Sequence, residues 1–172
     1  MDNSKNTPNL TEAAPVPDNI DALEVSDSWK KTFRLIKKAE PEGPFKYKKL
    51  DELDLSERRK MNYNFIAFFF SGLYYLWKGM YKKGFVILGA SWIYIAVLTF
   101  AEGFFSVSLP DVFFYIPPSV ICAILANYDY YQKVVHKKQM WEGVEIFKKL
   151  SPSVAFAAGA LLLFMYSITA FS

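Results

Sequence analysis

The chain has 172 residues, 52% of them hydrophobic and 18% aromatic, with 20 basic against 17 acidic side chains. Its single cysteine, Cys122, excludes an intramolecular disulfide and a cysteine-rich metal site, and its lone histidine, His136, has no second ligand at metal spacing. Residues 1–62 hold twelve acidic and twelve basic side chains and residues 63–172 five acidic and eight basic, a shift that predicts a charged arm joined to a membrane part.

Residues 1–27 set Asp2, Glu12, Asp18, Asp21, Glu24 and Asp27 against Lys5 and carry few large apolar groups. Such a stretch cannot offset the entropy of ordering, so it reads as a disordered acidic tail. From residue 28 to 60 the sign reverses, giving a basic, amphipathic cytoplasmic region. Trp29, Phe33 and Ile36 recur at helical spacing, with Lys30, Lys31, Arg34, Lys37 and Lys38 on the opposite face. Ser26 or Ser28 suits the cap of this helix, and Glu40-Pro41-Glu42-Gly43-Pro44 ends it. The helix Trp29–Lys38 is expected to meet anionic inner-leaflet lipids or to dock on the protein itself; nucleic acid is not an expected partner. Asp54 and Glu57 have capping-box spacing and predict a second helix through Lys60.

Four hydrophobic segments follow, at residues 61–77, 84–105, 109–127 and 152–171, with Pro117-Pro118 inside the third. Eighteen to twenty residues make roughly 27–30 Å of helix, enough to cross the hydrocarbon core. Lysines decide the orientation. The loop at 78–83 carries Lys78, Lys82 and Lys83, the connection at 128–150 carries Lys133, Lys137, Lys138, Lys148 and Lys149, and the loop at 102–108 has only Glu102. The first two are therefore expected inside and the third outside, with the C-terminus external. A spanning first segment would put the basic arm outside against the charge rule, so residues 61–77 are expected to be re-entrant or interfacial. The expected fold is an all-α integral membrane protein: acidic tail, short cytoplasmic helices, three transmembrane helices and one dipping segment within a helical membrane domain at 61–172. No secretory signal is expected, because the first long apolar stretch begins near residue 61.

The stretch from Asn64 through Ala67-Phe68-Phe69-Phe70, Tyr74-Tyr75, Lys78-Gly79 and Gly84 resembles the signature of a bacterial family of small multi-pass inner-membrane proteins of unknown function. Trp29-Lys30 with Phe33, and Asn127-Tyr128 with Tyr130-Tyr131, extend the likeness over about residues 28–135. The resemblance implies a bacterial inner-membrane location and carries over no catalytic or ligand residue; the charge rule adds the expectation of a cytoplasmic N-terminus. Where the family pattern has Gly-Pro this chain has Ser71-Gly72, which weakens the expectation of a sharp bend.

Other features read as structural. Gly79–Gly84 echoes a phosphate loop, but Phe85 stands where the lysine belongs and no strand precedes it. Asp129 is expected at the interface, with Lys133 one turn on as its partner. Asp111 suits the start of its helix, Cys122 reads as inert packing, and Tyr128, Tyr130, Tyr131 and Trp141 read as an aromatic belt. Ser153/Ala157 and Ala155/Gly159 are small pairs four apart, as at closely packed helix faces. No cofactor or metal is expected. The expected function is that of a non-enzymatic adaptor or accessory subunit with a membrane-protein partner or a second copy; the alternative is a small transporter or channel subunit, motivated by the proline pair and the dipping segment.

Overall fold

The computed structural model describes residues 19–141 and 151–170. Among these the regular structure is helical, with a lone bridge between Pro41 and Tyr47 and no strand. In chain order the helices are α1 (Asp27–Lys38), α2 (Leu55–Asn62), α3 (Phe65–Phe70), α4 (Gly72–Trp77), α5 (Tyr81–Phe105), α6 (Val112–His136) and α7 (Pro152–Ala170). Two of them, α5 and α6, are long and apolar enough to cross a membrane. The shorter apolar α7 packs along α5.

Helix α1 forms where the amphipathic spacing predicts it and buries Thr32, Phe33 and Ile36. Phe33 lies 5.8 and 5.5 Å from the rings of Tyr130 and Tyr131 on α6. The apolar face is thus used inside the protein, and its basic face remains outward; a lipid leaflet could meet only the latter. Ser26 stands at the N-cap, though its hydroxyl makes no capping bond. The expected unstructured tail extends too far: residues 19–26 lie against α1, because Ile20 is buried with Phe33 and Ile36 and the Asp21 carboxylate pairs with Arg34. Residues 1–18 fall outside the described residues.

Helix α2 starts on the capping box, Asp54 accepting from the Glu57 N–H at 2.8 Å and Glu57 accepting from the Asp54 N–H at 3.1 Å. The hydrophobic segment that follows is broken into α3 and α4 at Ser71, whose φ of 46° ends one helix and starts the next. The bend is therefore sharp without the Gly-Pro pair. Gly72 and Gly84 allow α4 to lie close to the start of α5, since a Cβ on either would come within 2.6–2.7 Å of Leu88 or Leu76. The chain turns between them through Gly79, whose φ is +67°.

Helix α6 is continuous through Pro117 and Pro118 and runs beyond the expected end at Asn127 to His136. Pro117 lacks the N–H that would bond the Phe113 carbonyl. That carbonyl accepts the Tyr94 hydroxyl of α5 at 2.8 Å, which ties the two helices at the end remote from the lysines. The turn between α5 and α6 is closed by Glu102, whose carboxylate accepts the Leu109 N–H at 2.6 Å.

Candidate functional site

Asn64, Tyr75 and Lys78 of the family-like stretch meet one side of α6. Cys122, Ala126, Asp129 and Lys133 recur at three- and four-residue steps and so form a stripe along that helix. The α3–α4 hairpin lies on it. Asn64 starts the hairpin and its backbone N–H bonds the Ala123 carbonyl at 2.9 Å. Ser71, at the bend, approaches the Cys122 sulfur at 3.2 Å. Tyr75 bonds Asp129 at 3.0 Å, and the Lys78 carbonyl accepts the Lys133 ammonium at 2.6 Å. The start of α3 and the bend at Ser71 thus meet α6 at one level, beside Ala123 and Cys122, and the chain then runs toward Lys133, about three turns, roughly 16 Å, further along α6.

Asn64 uses its side-chain oxygen and both amide protons here. Its side-chain oxygen caps α3 by accepting from the Ala67 N–H at 2.9 Å, while its amide donates to the Tyr74 hydroxyl at 3.0 Å and the Asn127 oxygen at 2.8 Å. The Asn127 amide lies 3.1 Å from the carbonyls of Lys60 and Met61, which the last turn of α2 leaves without intrahelical donors. Two asparagines therefore join the end of α2 and the start of α3 to α4 and α6 across an apolar interface. Ala67 is fully buried beneath them, whereas Phe69 and Phe70 are exposed.

Beside this pair sits a buried ion pair. Asp129 and Lys83 are 0% and 1% exposed, with the ammonium 2.6 Å from one carboxylate oxygen. The Trp141 indole N–H donates to the same oxygen at 2.8 Å and the Tyr75 hydroxyl to the other. Three donors from three separate parts of the chain compensate one carboxylate, as a charge removed from water requires. The expected Asp129–Lys133 pair is absent. Helix α6 turns Asp129 inward to Lys83, and Lys133 reaches the Lys78 carbonyl instead. Lys83 is moreover no loop residue, because α5 begins at Tyr81 and buries it in its first turn. Composition hid this pair: Lys83 adjoins Lys82, and 46 residues separate it from its partner.

Lys78 is held differently. Its ammonium lies over three rings, 5.0 Å from Trp29, 5.2 Å from Trp77 and 4.9 Å from Tyr130. Burial, and then the nearby Lys133, push its amine below the ordinary value. The cage joins α1, α4 and α6, so the basic arm is fixed to the hairpin through a lysine.

Two cavities flank the ion pair, and Lys83 lines both. One of about 260 Å³ lies under Phe45, Tyr128, Met140 and Trp141 and includes Gln132, whose buried side-chain oxygen has no partner among the described residues. The other, of about 810 Å³, lies against the first turn of α5 and the last of α6. Among the described residues no three His, Cys, Asp or Glu side chains cluster as a metal site would need.

Of the other sequence candidates, Tyr131 packs on Phe33, and His136 stacks edge-on to Tyr131 at 5.3 Å. On α7, Ala155 and Gly159 face α5: a Cβ on Gly89 would meet the Ala155 carbonyl oxygen at 2.4 Å. Ser153 and Ala157 are exposed. Lys148 and Lys149 fall outside the described residues.

No curated protein and no solved structure matches the chain. One family profile does, over residues 24–136, which spans α1, the hairpin, the ion pair and all of α6. That is more than half of the sequence, and the chain belongs to this family, described as protein of unknown function (DUF2628).

Proposed function

We propose that this helical membrane-type protein is a non-enzymatic adaptor or accessory subunit of a bacterial inner-membrane complex. The observation that carries this reading is the use of its polar groups. Asn64, Asn127, Asp129, Lys83 and Tyr75 bond to one another or to helix ends, so they act as joints between elements. What remains outward is an arm with a basic helix and a belt of apolar side chains. In the same reading α5, α6 and α7 are the three spans, the N-terminus is cytoplasmic and the C-terminus external. The hairpin is re-entrant, a reading supported by its break at Ser71 and by the outward Phe65, Phe69, Phe70, Leu73 and Trp77. Partner capture tests the proposal. Purification from membranes in mild detergent, with and without prior cross-linking, should yield a stoichiometric membrane-protein partner. Recovery of the chain with none, in both conditions, would overturn it.

A second reading, a small transporter or channel subunit, draws on a specific observation: the buried Lys83–Asp129 pair lies between two cavities. Intramembrane ionisable pairs often mark ion paths. Reconstituted vesicles distinguish the two. An ion or proton flux abolished by Asp129→Asn supports transport, and silence in every oligomeric state removes it.

A further inference from the structure

We propose that the 810 Å³ cavity between the lysine-bearing ends of α5 and α6 is a binding site for a phosphate-bearing anion, of the kind an anionic phospholipid headgroup presents. The lining charges are lopsided. Lys82, Lys133 and Lys137 face it, against Glu24 as the lining acid among the described residues. Lys83 also reaches the wall, but Asp129 neutralises it.

The cavity is also arranged, with Lys133 in a fixed position. Its ammonium is anchored 2.6 Å from the Lys78 carbonyl, a contact that positions the charge without cancelling it. Gly79 makes the room: a Cβ there would stand 2.8 Å from the Lys133 nitrogen. The glycine of the family-like Lys78-Gly79 step therefore does two things, turning the chain and admitting a cation to the cavity wall.

Several ammonium groups around one concavity repel each other, and an anion entering it removes that repulsion. A phosphate diester or monoester is the chemical class that suits them, because its oxygens accept several charge-assisted bonds at once. Position narrows the source. Basic pockets between the inner ends of membrane helices are where lipid headgroups dock. The site differs from the surface attraction expected of α1, whose lysines line another face. The inference rests on the membrane reading of α5 and α6 and is independent of the adaptor role.

The test uses the full chain in a neutral detergent. Short-chain phosphatidylglycerol, phosphatidylcholine of the same chain length and inorganic phosphate are titrated separately, with bound ligand read by native mass spectrometry. Phosphatidylglycerol should bind at least tenfold more tightly than phosphatidylcholine. Lys82→Gln/Lys137→Gln should lose about tenfold at an unchanged melting temperature, both side chains being exposed, whereas Lys31→Gln/Lys38→Gln on α1 should lose nothing. Competition by inorganic phosphate at equal affinity keeps the site and makes its source a soluble phosphate; no competition assigns it to lipid. Equal binding of the two lipids, or equal loss in the two double variants, overturns the proposal. Binding is read in micelles, so a wrong topology would leave this result intact and show itself only in accessibility labelling.

Discussion

At the residue scale the molecule depends on a few buried polar contacts whose partners are far apart in sequence. Asp129→Ala leaves the Lys83 ammonium buried and uncompensated, and should cost about 3–5 kcal/mol. The paired Lys83→Met/Asp129→Leu variant should recover part of that loss, since an apolar pair of similar volume removes both desolvated charges. Thermal or denaturant unfolding in detergent, compared across the double-mutant cycle, measures both; additive losses would refute the coupling. Asn127→Ala should release the end of α2 and leave the Asn64 amide short of an acceptor, which costs about 1–3 kcal/mol for the buried group. Little of this was legible beforehand. Asn64, Asn127 and Tyr75 stood out as motif residues, but a motif names residues without saying which touch. Lys83 and Asp129 looked like interfacial charges because helix ends place charged residues both outward and inward, and only the packing of α4 against both helices turns these two in.

At the scale of elements, what the pattern predicted best was what local chemistry controls. The Asp54–Glu57 spacing specified its own hydrogen bonds, and α1 followed from three apolar residues at helical steps. The Asp54 carboxyl is held below its ordinary value of 3.8, chiefly by the Glu57 N–H it accepts. A depressed folded value contributes stability above the ordinary one and loses it as the pH falls through the folded one. The stability gap between the native chain and Asp54→Ala should therefore be widest near neutrality and shrink below about pH 4, as unfolding curves on the two proteins would show. Ser71-Gly72 marks an interruption in the sequence, but the sharpness of the break does not follow from it, because the groups packed against it, Leu88 and Gly84 on α5 and Cys122 on α6, are distant in the chain. Helices α5 and α7 depend on a close backbone approach at Gly89. Gly89→Leu should separate them, and a bismaleimide bridge between cysteines placed at Trp92 and Phe156, whose rings lie 4.9 Å apart, should form in the native background and be lost in this variant.

At the scale of the whole molecule, the proposed arrangement across the bilayer follows from the lysine distribution. Single cysteines at Asn9 and Lys82 should be labelled from the same side and one at Ser106 from the other, in a Cys122→Ala background, by a membrane-impermeant maleimide on intact and opened cells. Labelling of Asn9 together with Ser106 would mean that residues 61–77 cross. The hairpin also sets an order of events during synthesis. Asn64 and Tyr75 find their partners on α6, 63 and 54 residues later in the chain. At about 5–20 residues per second, those partners emerge some 3–12 s after the hairpin itself. During that interval its polar groups must be satisfied by water or by the insertion machinery. The hairpin is therefore made before α5 and α6 yet is among the last elements to settle, and a chain stopped before α6 should leave a cysteine at Ser71 open to reagents that the finished protein excludes.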